Sequence, residues 1–276
     1  MQAGFSGYRV FLKGHKIMRI GIAGITGRVG RLLIEEVTAA GYNLSGGTTR
    51  QLERVKKTLE GINLFSDLSE LAAVSDVVID FTHVDTVVMH AQVLAECGVA
   101  WVLGTTGLAE RQQQALKSAS EQIAVVYAPN FSPGVALVRR LALMMGRALP
   151  ANAYDAEIIE RHHRQKVDAP SGTALAIGES VAQGRGVVLS EVRESGRDGH
   201  CGARLCGAIG FAAVRAGQII GEHELVFTSV DEQITLIHKA FDRRIFATGA
   251  VRAACWIHGR LSGLYGMEDV LGLPPL

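Results

Sequence analysis

The residues best equipped for chemistry lie in one run, Glu160-Arg-His-His-Arg-Gln-Lys-Val-Asp-Ala-Pro-Ser-Gly-Thr173. Within five positions it holds four groups that are cationic or can take up a proton at neutral pH: His162, His163, Arg164 and Lys166. His162 and Lys166 are four apart, a spacing that shares one face of a helix and equally one face of a strand. Pro170 to Thr173 reads as the start of a helix that continues through Ala182. The first N–H groups of a helix have no partner within it. Near Gly172 and Thr173 they would therefore form an anion site, reinforced by the positive end of the helix dipole. Titratable groups beside such a cradle suit a carboxylate-bearing substrate that takes up a proton. A His-Arg-Lys cluster is also what a solvated face or a nucleic-acid patch looks like, and the residues alone leave that alternative open.

Two sets of elements must position this run. Arg19 to Ala23 is a short apolar strand pattern, followed by Gly24-Ile25-Thr26-Gly27-Arg28-Val29-Gly30 and a helical pattern at Leu32, Leu33, Val37 and Ala40. Strand, glycine turn and helix is the context of a dinucleotide fingerprint, here spaced G-x-x-G-x-x-G rather than G-x-G-x-x-G. Gly24 would make the turn, Gly27 would admit a pyrophosphate and Gly30 would let the helix pack closely. Strands over Tyr42–Gly47, Asp76–Thr82, Ala100–Gly104 and Ile123–Tyr127 alternate with helices over Val87–Cys97 and Ala109–Ser120, as a parallel sheet requires. Their carboxyl ends carry Thr82, then Gly104, Thr105 and Thr106, then Ala128, Pro129, Asn130 and Phe131. Open α/β sheets bind ligands at those ends, although the same residues could simply close turns. Strand two ends Thr48-Thr49-Arg50. An NAD enzyme usually places Asp or Glu at the Thr49 position, whereas a hydroxyl followed by Arg50 suits the 2′-phosphate of NADPH. NADPH is thus the preferred cofactor, with NADH possible.

From Pro133 the pattern changes. A helix over Gly134–Gly146 and a strand over Tyr154–Glu160 precede the chemical run, and β patterns follow over Ile209–Arg215, Gln218–Ser229 and Glu232–Lys239, with a turn at Ala216-Gly217. The expected fold class is α/β: an N-terminal Rossmann-like parallel sheet plus a smaller α+β domain with a mixed or antiparallel sheet. Residues 18–133 form the dinucleotide-binding domain, completed by residues 244–276, and residues 134–243 form the substrate and oligomerisation domain. Residues 1–17 read as a disordered extension, with Met18 as the natural start. Gly196–Gly207 is glycine-rich and polar, the pattern of a mobile loop near a site. Domain closure is expected to hinge near residues 131–134 and 240–244. The balance of 28 basic against 27 acidic residues gives no global case for nucleic acid or a membrane surface. The four cysteines are scattered and read as reduced thiols, with no metal-site spacing. No apolar run reaches the ~18 residues of a spanning helix, so a cytoplasmic location is expected.

Taken together, Met18 to Leu276 resembles the 4-hydroxy-tetrahydrodipicolinate reductase family, also called dihydrodipicolinate reductase, of bacterial lysine and diaminopimelate synthesis. The resemblance rests above all on Glu160 to Ala174, with Gly24–Gly30, Asp80–Thr82, Gly104–Thr106, Ala128–Phe131, Ile209–Phe211 and Gly221–His223 in the same order. It implies a small dicarboxylate cyclic imine as substrate, reduced by hydride from a nicotinamide cofactor and then protonated. His162 would be the proton donor, with Lys166 as its partner and a second donor. His163, Gly172, Thr173 and, less directly, Arg243 would bind substrate. Gly24 to Val29, Arg50, Gly104 to Thr106 and Ala128 to Phe131 would line the cofactor groove. The resemblance further implies a homotetramer built through the second-domain sheet. Thr49 departs from the family pattern, in which many members carry an acid before the Arg.

Overall fold

The computed structural model describes residues 17–55 and 57–274. The expectation of a disordered extension therefore falls, Ile17 apart, outside the described residues. In chain order the first part contains β1 (Arg19–Ala23), α1 (Arg28–Ala39), β2 (Asn43–Thr48), α2 (Leu52–Val55), β3 (Leu64–Phe65), α3 (Leu68–Ala73), β4 (Val77–Asp80), α4 (Val87–Cys97), β5 (Ala100–Leu103), α5 (Glu110–Ser120) and β6 (Ala124–Tyr127). Then follow α6 (Pro133–Ala148), β7 (Asp155–His162), α7 (Gly172–Arg185), α8 (Leu189–Val192), β8 (Arg193–Ser195), β9 (Ile209–Arg215), β10 (Gly221–Thr228) and β11 (Gln233–Ala240). The chain closes with α9 (Arg244–Ile257), β12 (Gly263–Tyr265) and α10 (Met267–Val270).

The first sheet has seven parallel strands in the order β12-β6-β5-β4-β1-β2-β3. Its central strands are short apolar runs buried on both faces, as parallel strands covered by helices must be. Val77, Ile79 and Val102 face a core shared with α1 and α9, while Val78, Trp101 and Leu103 face one shared with α3, α4 and α5. Truncating a fully buried side chain here, such as Leu103 to Ala, would cost about 2–5 kcal/mol. α9 reaches this sheet from far along the sequence because its inner face is made of small residues, Ala247, Gly249, Ala250, Ala253 and Ala254. A Cβ at Gly249 would collide with the carbonyl of Phe131, so the helix lies directly on the segment that leaves β6. β12 then adds to the edge beside β6, as the expected return of the C-terminus requires.

The second sheet has five strands in the order β11-β10-β7-β9-β8. β10 is antiparallel to β7 and β11, whereas β7, β9 and β8 run parallel, so the sheet is mixed. Strict alternation along β7 and β10 sends Ile158, Leu225 and Phe227 into a core under α6 and α7. Ile159, Val214, Val226 and Ile237 fall on the opposite face, which no helix or strand among the described residues covers.

The structure adds three local features to the sequence reading. β3 and α3 fill the interval after Arg50 that the pattern had left blank; α3 is capped by the Asp67 side chain, which accepts the Ser69 N–H. The expected turn at Ala216-Gly217 joins β9 to β10, which are not neighbours because β7 lies between them. It crosses the end of β7 instead, where Ala216 N–H donates to His162 O and Arg164 N–H to Gly217 O. The loop 196–207, expected beside a site, is tied to β7 by Arg197 and Arg204, which pair with Glu157 and Asp155. Among the described residues no helix is long and apolar enough to cross a membrane.

Candidate functional site

The turn after β1 is built around Gly24, whose φ of +76° is the left-handed conformation that glycine alone adopts without strain. Gly24 N–H donates to Thr48 Oγ1 at 3.1 Å and Ile25 N–H to Thr48 O at 3.1 Å, which pins the turn to the end of β2. A Cβ at Gly30 would strike the Gly24 and Ile25 carbonyls, so α1 packs against its own turn as closely as backbone allows. No side chain caps the N-terminus of α1, which leaves its first N–H groups open to an anion. Gly24, Thr26, Gly27, Thr49 and Arg50 border a groove of roughly 410 Å³ that Phe81 and Thr82 close on the far side. Thr49 is buried, its Oγ1 3.5 Å from Thr26 Oγ1 and accepting the Gln51 N–H at 3.2 Å, whereas Arg50 is exposed at the rim.

The floor of this groove is held by a buried carboxylate. Asp80 accepts from Thr82 N–H (3.0 Å), Thr82 Oγ1 (2.6 Å), His90 Nδ1 (2.7 Å) and Trp101 Nε1 (3.3 Å). Phe81, next in the chain, lies against Gly104, where a Cβ would enter its ring. Its ring centroid is 5.5 Å from that of Phe131. With Val29, Pro129, Asn130, Phe131 and Phe246 it lines a smaller cleft of roughly 170 Å³. Pro129 and Asn130 also border a third cleft of roughly 380 Å³, with Thr106, Ala128, His162, Lys166, Gly172 and Thr173. Shared walls thus join the three spaces along the carboxyl ends of the first sheet. Ile25 is fully buried in the core and Phe131 nearly so, Arg28 is exposed at the start of α1, and Thr105 is buried with its hydroxyl donating to Thr82 O at 3.3 Å.

In the third cleft His162 is the last residue of β7 and Lys166 lies in the loop after it, so neither is on a helix. Lys166 pairs with Asp168 at 2.8 Å. His162 Nδ1 donates to Glu160 Oε2 at 2.5 Å. Glu160 also receives Arg215 Nη1 and Nη2 at 2.8 and 2.7 Å and the Ser171 N–H at 3.0 Å. Burial raises the Glu160 pKa, but the Arg215 and His162 donors more than reverse this, so the carboxylate lies below its ordinary range. Burial also lowers the His162 pKa; Glu160 opposes that, while the charges of Lys166 and Arg215 add to it, and the net shift is downward. Ser171 caps α7, its Oγ accepting the Ala174 N–H at 3.1 Å. With Ser171 N–H on Glu160 and Ala174 N–H on Ser171, the N–H groups of Gly172 and Thr173 are the two left open at the cleft. Asn130 bridges the two walls, Nδ2 donating to Thr173 Oγ1 at 3.1 Å and Oδ1 accepting the Ser132 N–H at 2.8 Å.

Two family models match the chain, the N-terminal part of dihydrodipicolinate reductase over residues 18–131 and its C-terminal part over residues 134–271. The chain belongs to the dihydrodipicolinate reductase family. It is 61% identical over 256 residues to a 4-hydroxy-tetrahydrodipicolinate reductase of Gluconacetobacter diazotrophicus, covering 93% of this chain and 98% of the relative. It is 56% identical over 256 residues to the enzyme of that name in Granulibacter bethesdensis, covering 93% of this chain and 97% of the relative. The structure is similar to a dipicolinate-bound dihydrodipicolinate reductase from Paenisporosarcina sp. TG-14, with a TM-score of 0.74, 25% identity, and coverage of 92% of this chain and 99% of that one.

Two residues that the resemblance assigned to substrate in this reductase are not among those lining the third cleft. Arg243 is exposed at the N-cap of α9 and does not line it. His163 follows His162 in the chain and is half-buried, with its Nδ1 sealed from solvent and without a partner among the described residues. Several residues that do shape the site were not singled out from the sequence. His223 Nε2 lies 2.9 Å from Ser171 Oγ, the cap of α7, and His238 Nε2 3.2 Å from Ser132 Oγ, which caps α6 by accepting the Val135 N–H. The rings of His162 and His223 meet edge-on at 5.2 Å. Burial, then the charges of His162 and His238, lower the His223 pKa to about 3, so this ring is neutral. Arg139 and Glu268, from α6 and α10, border the same cleft and pair at 3.5 Å. The spacing within the Glu160 run held a signal for Glu160 itself, two residues from His162 on the same face of a strand. The histidines and Arg215 left none.

Proposed function

We propose that this chain is a 4-hydroxy-tetrahydrodipicolinate reductase that prefers NADPH, accepts NADH, and forms tetrahydrodipicolinate in lysine and diaminopimelate synthesis. One observation carries this reading: a histidine held by a buried carboxylate opens into the same cleft as an uncapped pair of helix N–H groups and the end of the nucleotide groove. The groove fits a nicotinamide dinucleotide. Gly24 to Val29 leave backbone room and open N–H groups for a pyrophosphate, and Arg50 beside the Thr49 and Thr26 hydroxyls suits a 2′-phosphate. Gly104 to Thr106 and Ala128 to Phe131 carry the groove on to the third cleft. When bound, the cofactor supplies a hydride.

The chain's own groups do the rest. The N–H groups of Gly172 and Thr173 bind one substrate carboxylate, and Lys166 and His163 hold the dicarboxylate ring from the β7 side, with Arg243 reaching it on closure. Reduction of the conjugated imine leaves an enamine that must gain a proton, which His162 delivers. Lys166 keeps positive charge near the negative charge that develops, an arrangement worth most where water is excluded. Residues 18–133 with 244–276 act as one domain and 134–243 as the other, and closure about residues 131–134 and 240–244 brings groove and cleft together. The open face of the second sheet, where Ile237 is 57% exposed beside the paired charges of Arg161, Glu222 and Glu224, is the surface through which a homotetramer would form, in the cytoplasm. The test is oxidation of NADPH and NADH at 340 nm, with substrate generated in place by the preceding synthase. The account expects turnover that requires the synthase product and is faster with NADPH. Tight NADPH binding without turnover would refute it.

A further inference from the structure

Glu160 touches neither the groove nor the third cleft and is completely buried, yet each of its oxygens accepts two hydrogen bonds. An ionised carboxylate can only accept. With Glu160 ionised, His162 Nδ1 therefore carries the proton whether the ring is neutral or charged. Among the described residues the other ring nitrogen has no hydrogen-bond partner, and it is not sealed from solvent. It lies over Gly221, where a Cβ would come within 3.1 Å of Nε2, so the missing side chain keeps that edge clear. Neutral His162 thus presents a lone pair at Nε2 and has no proton to give there. Only the imidazolium can protonate a substrate. Of the groups facing the ring, the charges of Lys166 in the loop and Arg215 on β9 oppose that state, while His223 on β10, with His238 on β11 behind it, is neutral and does not support it. Asp168 is engaged with Lys166, which leaves Glu160 as the carboxylate in contact with the ring.

We infer that Glu160 is a positioning residue for the proton transfer. It fixes the His162 tautomer so that Nε2 alone faces the cleft, holds the imidazolium against the surrounding positive charge, and ties the ring to the start of the anion cradle through Ser171 N–H. In the step itself the Nε2–H bond breaks and a C–H bond forms on the substrate. The ring is left neutral with Nδ1–H still on Glu160, and Nε2 is reloaded from solvent. Arg215 offsets the buried charge of Glu160 and keeps it ionised throughout.

The kinetic part rests on the reductase reading; the tautomer does not. Nitrogen-15 histidine spectra of the wild-type protein should show neutral His162 protonated at Nδ1, and a neutral form protonated at Nε2 would overturn the inference even if no variant folds. Glu160→Gln keeps an acceptor for Nδ1–H and removes the charge. Activity that needs the imidazolium is present below its pKa and lost as pH rises through it. In Glu160→Gln the midpoint of that loss should therefore move to lower pH by roughly 1–3 units, with about a tenfold loss of kcat per unit at pH above both midpoints. NADPH affinity should not change. A uniform fall in kcat at every pH with an unmoved midpoint would show a structural role alone and overturn the inference. A wild-type protein without reductase turnover would instead sink the reductase reading, and the spectra would still decide the tautomer.

Discussion

Arg50→Ala gives the sharpest test of the cofactor reading. Arg50 follows β2 at the open rim of the nucleotide groove, beside the Thr49 and Thr26 hydroxyls. Because the residue is exposed, the water end of the dielectric range applies. There a unit charge pair at about 4 Å is worth about 1 kcal/mol, so a phosphate of charge near −2 gains about 2 kcal/mol from the guanidinium. That falls within the roughly 1.5–3 kcal/mol expected of a hydrogen bond to a charged group. At about 1.4 kcal/mol per tenfold, the variant should bind NADPH about 30-fold more weakly. NADH lacks the phosphate and should change by less than about twofold on the same reasoning. Titration of cofactor fluorescence at low and high salt measures both effects. The wild type should lose NADPH affinity steeply as salt screens the pair, and the variant should lose much less. Equal weakening of both cofactors, or an unchanged salt response, would refute the 2′-phosphate contact.

Substitutions in the third cleft should separate proton delivery from binding. His162→Gln should lower kcat by about 10²–10⁴-fold with NADPH affinity preserved, and unchanged turnover would remove His162 as the acid. Lys166→Ala should both lower kcat and raise KM for the substrate, since the side chain meets the bound anion and the developing charge alike; steady-state kinetics showing neither change would exclude it. His223 supplies a stability prediction. Its folded pKa of about 3 lies below the ordinary 6.5, so between those values the unfolded chain binds a proton that the folded chain does not. Stability should therefore fall as pH drops from 6.5 towards 3, by about 1.4 kcal/mol per unit from this group, and be indifferent to it above 6.5. Urea titrations of His223→Gln should show a shallower decline over that window, and parallel profiles would argue against a buried neutral ring.

The parts of the site that were legible in the sequence are those that neighbours along the chain create. Gly24 to Gly30 make their own turn, and Ser171 to Thr173 make their own helix start. The apolar runs of β1, β4, β5 and β6 reveal a sheet because burial on both faces leaves no alternation. What was not legible comes from strand register. Arg215 pairs with His162 and His223 with Glu160 across the second sheet, from positions with no spacing to mark them. A shift of one residue would put each on the opposite face. Arg139 and Glu268 meet only because β12 returns α10 to the first sheet. The loop 196–207 takes its place from the second sheet as well, since its arginines find their carboxylates on β7.

The central claim is that hydride from the nucleotide groove and a proton from the third cleft meet on one substrate. Turnover of synthase-generated substrate with NADPH deuterated on the transferred position, followed by mass spectrometry of the product, tests it most directly. Each product molecule should carry one cofactor-derived deuterium. In the converse experiment, with unlabelled NADPH in deuterated water, the label should enter at the protonated carbon alone. NADPH oxidised without any deuterium in the product would contradict the account.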